Sequence, residues 1–119
     1  SAQNAVDLEA AGLLASAQAA LDKARDAART PPEHLNVSLA YYRAGLFHES
    51  IAEARLALQA DPNYAEALNN VGAGYIGLRQ WRDALEPLQR ALALKPDFVV
   101  ARNNLAQVEA ALAAAGGRP

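Results

Sequence analysis

Residues 65–98 read AEALNNVGAGYIGLRQWRDALEPLQRALALKPDF. Shifted toward the N-terminus by its own length, this stretch falls on residues 31–64, and the residue types agree column by column. A shift in the other direction meets a half-copy after residue 98. Two full copies and one truncated copy predict an array of stacked helical units. The matching pairs are Val71 with Val37, Tyr75 with Tyr41, Ala91 with Ala57, Leu92 with Leu58, and Pro96 with Pro62.

The residues that carry this period occupy fixed places in the unit. Counted from Ala65, the places with a characteristic residue type hold Leu68, Val71, Gly72, Tyr75, Ala84, Leu88, Ala91 and Pro96. The pattern resembles the tetratricopeptide repeat (TPR) family, and the earlier copy departs from it at His34 and Ala54. The resemblance implies an all-α fold, a right-handed α-α superhelix of antiparallel helix pairs that binds proteins and is not an enzyme.

The breaks between periodic segments divide the chain. We predict a capping or docking helix over 1–29, repeats over 30–64 and 65–98, a C-terminal capping helix over 99–115 and a frayed tail over 116–119. The first segment has an apolar stripe at helical spacing but no repeat signature. Three interpretations are open: the stripe covers the open end of the first repeat, it mediates dimerisation of the protein, or the segment is a linker to another domain.

Helix-start signals occur at three of these breaks. Thr30 and Glu33 form a capping box before the second helix. Asn63 and Glu66 are expected to repeat that box before the fourth helix, and Asn4 is expected to cap the first.

Composition narrows the possible functions. The 119 residues carry a formal net charge of −2, contain no cysteine and include 30 alanines. Intermixed charges predict no nucleic-acid partner and no polybasic membrane surface. Without cysteine there is no disulfide or thiolate metal site, and the compartment stays undetermined. We also expect no membrane span, no signal peptide and no cofactor.

Two features resemble known nucleotide-binding or metal-binding motifs. Gly72, Gly74 and Gly77 have the spacing of a dinucleotide fingerprint, but they fall inside a predicted helix instead of at a strand-to-helix turn. Gly77 is expected to lie on the inner, concave side of the array, where glycine gives either a deeper and smoother groove or only a looser helix. His34 and His48 lie on different predicted helices without any cysteine nearby, so we predict no metal site and no catalytic residues.

A row of asparagines is the strongest functional signal. Asn36, Asn70 and Asn104 recur at the same place in each copy of the repeat, and Asn69 and Asn103 precede two of them. Their position shares the helix face predicted to line the inner, concave wall. An amide side chain complements a peptide bond, so the row predicts a site for an extended peptide backbone. The alternative is that these asparagines bond to neighbouring helices.

Other residues complete the predicted peptide groove. They are Leu35, Leu39, Tyr42, Arg43, Glu66, Ala73, Ile76, Gly77 and Gln107. Arg43 is expected to select a carboxylate on the partner. The family's clamp for chaperone tails needs basic or amide residues where this chain has Leu35, Leu39 and Val100, so such tails are not predicted. Alternative functions are a self-associating structural module, including a homodimer, or an accessory domain of a larger enzyme such as a membrane-bound glycosyltransferase.

Overall fold

The computed structural model describes residues 2–116, and these form six α-helices without any β-strand. The all-α prediction is confirmed. The helices are α1 (Ala2–Ala27), α2 (Pro31–Arg43), α3 (Phe47–Ala60), α4 (Ala65–Gly77), α5 (Trp81–Leu94) and α6 (Val99–Gly116). Gly116, assigned to the tail from sequence, is therefore the last residue of α6, and residues 117–119 lie outside the described range.

The predicted capping box at the start of α2 is confirmed. Thr30 has an extended backbone (φ −108°, ψ 158°), and its side chain accepts from the Glu33 N–H at 3.3 Å. The Glu33 carboxylate accepts in return from the Thr30 N–H at 3.0 Å. Two of the N–H groups at this helix start that have no helical acceptor are thereby satisfied.

The other two predicted caps are wrong. Tyr64 precedes α4 directly, and no side chain caps that helix. Asn63 lies one residue too early, and the Glu66 carboxylate instead faces Lys95 Nζ at 3.4 Å. Asn4 lies inside α1, because that helix already begins at residue 2.

Neighbouring helices run antiparallel and touch where small side chains meet. Ser38 and Ser50 each donate a hydroxyl hydrogen bond to the other's backbone carbonyl at 2.8 Å, which joins α2 to α3. A hypothetical Cβ on Gly72 would lie 2.5 Å from Leu88 Cγ, which shows how closely α4 approaches α5. The core consequently consists of small apolar clusters arranged along the stack.

The turns inside the two helix pairs have the same geometry. Gly45 ends α2 with φ +77°, and Arg79, at the same place in the next repeat, has φ +58°. In each turn the next backbone N–H donates at 2.9 Å to the carbonyl of an aromatic residue, Tyr41 in the first and Tyr75 in the second. Arg79 therefore adopts a left-handed conformation that favours glycine.

Helix α1 contacts the repeats only through its C-terminal part. Ala28, just after α1, is buried with Val37 and Tyr41 of α2. The Tyr41 hydroxyl donates to Asp22 Oδ1 at 2.5 Å, and burial followed by this bond raises the pKa of Tyr41. Residues 2–17 are exposed throughout. Among the described helices, α1 included, none is both long and apolar enough to cross a bilayer.

Candidate functional site

The three repeated asparagines lie on successive helices of the array. Asn36 on α2 is exposed, and its side chain makes no hydrogen bond within residues 2–116, whereas Asn70 and Asn104 are half-buried. Asn70 Nδ2 donates to Ser38 Oγ at 3.4 Å, and Asn104 Nδ2 donates to Asn69 Oδ1 at 3.0 Å. These two amides bond to neighbouring helices, as the structural explanation of the row requires. Each still has its carbonyl oxygen and a second N–H available.

The residues nearest this row differ in accessibility. Asn69 and Ala73 of α4 are only 7% and 9% exposed, so they offer a partner little surface. Leu35 is half-buried on α2, while Asn103 and Gln107 on α6 are exposed. We call the accessible surface around the three repeated asparagines the asparagine face.

One end of the asparagine face is apolar and carries the cationic side chain of Arg43. Leu39 and Tyr42 are 37% and 38% exposed, and Tyr42 meets the ring of Phe47 edge-on at 5.5 Å. Arg43 is exposed and forms no ion pair with any described residue. Helix α1 leaves these side chains and Asn36 uncovered.

The α4 residues expected in the groove serve mainly to pack helices. A Cβ on Gly77 would lie 2.5 Å from the Phe47 ring, so Gly77 admits that ring against α4 and its half-buried surface does not smooth an open wall. Ile76 packs against the buried cluster that includes Leu88 and Val108. Its accessible part alone remains for a partner.

The glycine spacing on α4 has the same structural origin. Gly74 lets Ile51 Cγ1 approach to within 2.5 Å of where a Cβ would stand, as Gly72 does for Leu88. All three glycines lie within one helix. Their backbone amides are engaged in that helix, so the spacing reflects close packing and forms no phosphate-binding turn.

A buried polar pair was not anticipated from the sequence. Glu53 on α3 is 2% exposed, and its Oε1 lies 3.2 Å from His34 Nδ1. Glu53 shares the buried stripe of α3 with Ser50 and Ala54. A carboxylate on such a stripe, opposite a histidine of the facing helix, was the available signal. The pair satisfies two polar groups in the interior.

A separate cavity lies between α3 and α5, on the side of α4 opposite the asparagine face. It is open to solvent and has a volume of about 290 Å³. Its lining consists of Arg55, Leu58, Leu68, Val71, Tyr75, Asp83, Glu86, Pro87 and Arg90. Its charges balance, and Arg90 pairs with Glu86 at 3.5 Å. No group of three potential metal ligands occurs within residues 2–116.

No protein-family model matches the chain. The peroxisomal targeting signal receptor of Kluyveromyces lactis is 36% identical over 76 residues, which are 64% of this chain. The chain covers only 13% of that receptor's length.

The solved structures to which this chain is similar include TPR domains. The first TPR domain of Spaghetti (RPAP3), determined with a bound HSP90 peptide, is 29% identical with a TM-score of 0.67. The match covers 70% of this chain and 66% of that one. The Sgt2 TPR domain from Aspergillus fumigatus has a TM-score of 0.74 at 20% identity, over 96% of this chain and 81% of its own, and shares the fold.

Proposed function

Because the chain is an array of tetratricopeptide repeats, we propose that it is a protein-binding module whose asparagine face holds an extended peptide segment. The related Spaghetti domain is bound to a peptide, which supports this class of partner. The proposed module is non-catalytic and does not bind nucleic acid, in keeping with its net charge of −2.

The proposal rests on the hydrogen bonding of the three asparagine side chains. The side chains of Asn70 and Asn104 are each fixed by one bond to a neighbouring helix, and the Asn36 side chain bonds to none of the described residues. A fixed amide loses little entropy on binding, and its remaining oxygen and N–H match the N–H and C=O of a peptide backbone. The row therefore suits recognition of main chain without selecting a particular side chain at each step.

The side chains beside the row define the partner further. Leu39 and Tyr42 give an apolar contact, and Arg43, which has no ion-pair partner within residues 2–116, attracts a carboxylate. Leu35 and Leu39 occupy places where a chaperone-tail clamp needs polar residues, so the proposed partner is not an HSP90 or HSP70 tail.

Self-association is a second candidate, favoured by one observation. Val6, Leu13 and Leu14 of α1 are 58%, 69% and 48% exposed and belong to none of the buried clusters of the described chain. An apolar stripe of this kind also suits a second copy of the chain. Sedimentation at several concentrations separates the two functions, because only self-association depends on concentration without a partner.

The direct test is selection from a displayed library of random heptapeptides on the wild-type chain and on the triple variant Asn36→Ala, Asn70→Ala, Asn104→Ala. Each lost bond costs about 1 kcal/mol, so the triple variant should bind a selected peptide about 100-fold more weakly. Undiminished binding by the triple variant excludes the asparagine face as the contact.

Two controls separate binding from folding. A matched triple variant, Gln59→Ala, Gln80→Ala, Gln89→Ala, removes three exposed amides elsewhere and should bind normally. Asn36→Ala alone removes no bond within the described chain, so any weakening it causes reports on the partner. Urea unfolding of all variants verifies that each remains folded at the assay temperature.

A further inference from the structure

A trough of about 270 Å³ separates the end of α1 from the first turns of α2. Alanines cause it, because the side chains that α1 presents there are too short to fill the space. Asn36 belongs both to this trough and to the asparagine face, so the two surfaces are continuous. The lining residues are Ala24, Ala27, Ala28, Glu33, Asn36 and Val37.

Among the described residues, Glu33 is the only charged side chain that lines this trough. Its Oε1 accepts from the N–H groups of Arg29 (3.3 Å) and Thr30 (3.0 Å), and the carboxylate has no ion-pair partner within residues 2–116. Hydrogen bonding with Thr30 lowers the pKa of Glu33, so the group is ionised at neutral pH.

The guanidinium of Arg29 forms no ion pair with Glu33. Arg29 Nη1 instead donates to the backbone carbonyls of Asp26 at 2.6 Å and Ala28 at 2.8 Å. The trough is thus an apolar channel with one carboxylate, that of Glu33, at its rim, and it complements a long alkyl chain with a positive end.

Resting on the proposed peptide-binding function, we propose that this trough is a specificity pocket for a lysine or arginine side chain of the bound peptide. The methylene groups lie along Ala24, Ala27 and Val37, and the cationic end meets the free oxygen of Glu33. A peptide backbone held at Asn36 places its adjacent side chain at the mouth of the trough. The pocket thereby fixes the register of the peptide on the asparagine face.

The test begins with random heptapeptides selected on the wild-type chain, which should share one basic position. A selected peptide and its analogue with norleucine at that position are then compared by fluorescence anisotropy. Norleucine keeps the alkyl chain and removes the charge, so wild type should bind it about three- to fivefold more weakly, as expected for a partly exposed ion pair.

Two variants address the two halves of the pocket. Glu33→Gln keeps the capping box, since glutamine serves at that position too, and should bind both peptides equally. Ala27 is exposed, so Ala27→Leu can place a larger side chain in the trough and fill it. This variant should bind the basic peptide about tenfold or more weakly than wild type does. Glu86→Gln is the control, because it removes a carboxylate from the α3–α5 cavity, away from the trough. This variant should leave the preference for lysine unchanged.

The outcomes separate the pocket from the function on which it rests. Failure to enrich any peptide, or equal binding by the triple asparagine variant, overturns the proposed function. Peptides that need the asparagines but lack a basic position, or a preference for lysine that survives Glu33→Gln, overturn the pocket alone. The selection could also enrich an uncharged aliphatic residue at this position, with binding that Ala27→Leu abolishes. That result would show that the trough is used without its charge, and it would contradict the role given to Glu33.

Discussion

Replacing Gly72 by alanine should destabilise the protein, although alanine is the better helix former by about 1 kcal/mol. The added Cβ would lie 2.5 Å from Leu88 Cγ and 2.6 Å from its Cδ2. Leu88 is fully buried, so it cannot turn away into solvent. Overpacking of this kind costs about 1–3 kcal/mol, which outweighs the gain in helix propensity and leaves a net loss of up to about 2 kcal/mol.

Urea unfolding followed by circular dichroism measures this loss in free energy of unfolding. Gly12→Ala is the matched control, because a Cβ at Gly12 meets nothing within 4 Å. That control should raise helix content in α1 without loss of stability. If Gly72→Ala proves as stable as wild type while Gly12→Ala behaves as described, α4 and α5 do not approach as closely as the structure indicates.

Thr30→Ala should lower the free energy of unfolding by about 1 kcal/mol through loss of the cap on α2, and an unchanged urea midpoint would contradict this. Arg79→Gly should raise the melting temperature, because it relieves a left-handed backbone that costs about 1 kcal/mol and that Gly45 adopts freely; a lower melting temperature would disprove the strain. Tyr41→Phe should speed hydrogen exchange in α1, because the bond to Asp22 is lost. The folded state raises the pKa of Tyr41 above its ordinary 10, so the unfolded chain releases this proton first and wild-type stability falls as pH rises above 10. Tyr41→Phe should lack this contribution to the loss of stability at alkaline pH.

The repeat could be predicted from sequence because its residues report local geometry. A glycine or alanine facing a large residue at a fixed interval specifies where helices touch, and the Thr30 box specifies where one begins. The prediction that Asn63 caps α4 was wrong because it too relied on a local residue pattern. Asn63 has the residue type of a cap, but Tyr64 still separates it from the start of α4, and single-residue boundaries depend on packing that the sequence pattern does not encode.

The candidate site was less predictable because it depends on contacts between repeats. The row of asparagines was visible in the sequence, but the bonds from Asn70 to Ser38 and from Asn104 to Asn69 arise only when the helices stack. The trough between α1 and α2 was not visible for a similar reason. Alanine on a helix indicates close packing elsewhere in this chain, whereas here it leaves space.

Nuclear magnetic resonance of the side-chain amides tests the central claim most directly. A peptide selected on the wild-type chain is added to labelled protein, and the NH₂ signals of Asn36, Asn70 and Asn104 are followed against those of Gln59 and Gln89. The three asparagine signals should shift together and saturate with one dissociation constant while the glutamine signals stay in place. Shifts confined to residues around the α3–α5 cavity, with the asparagine signals unmoved, would show that the partner binds the opposite side of the array.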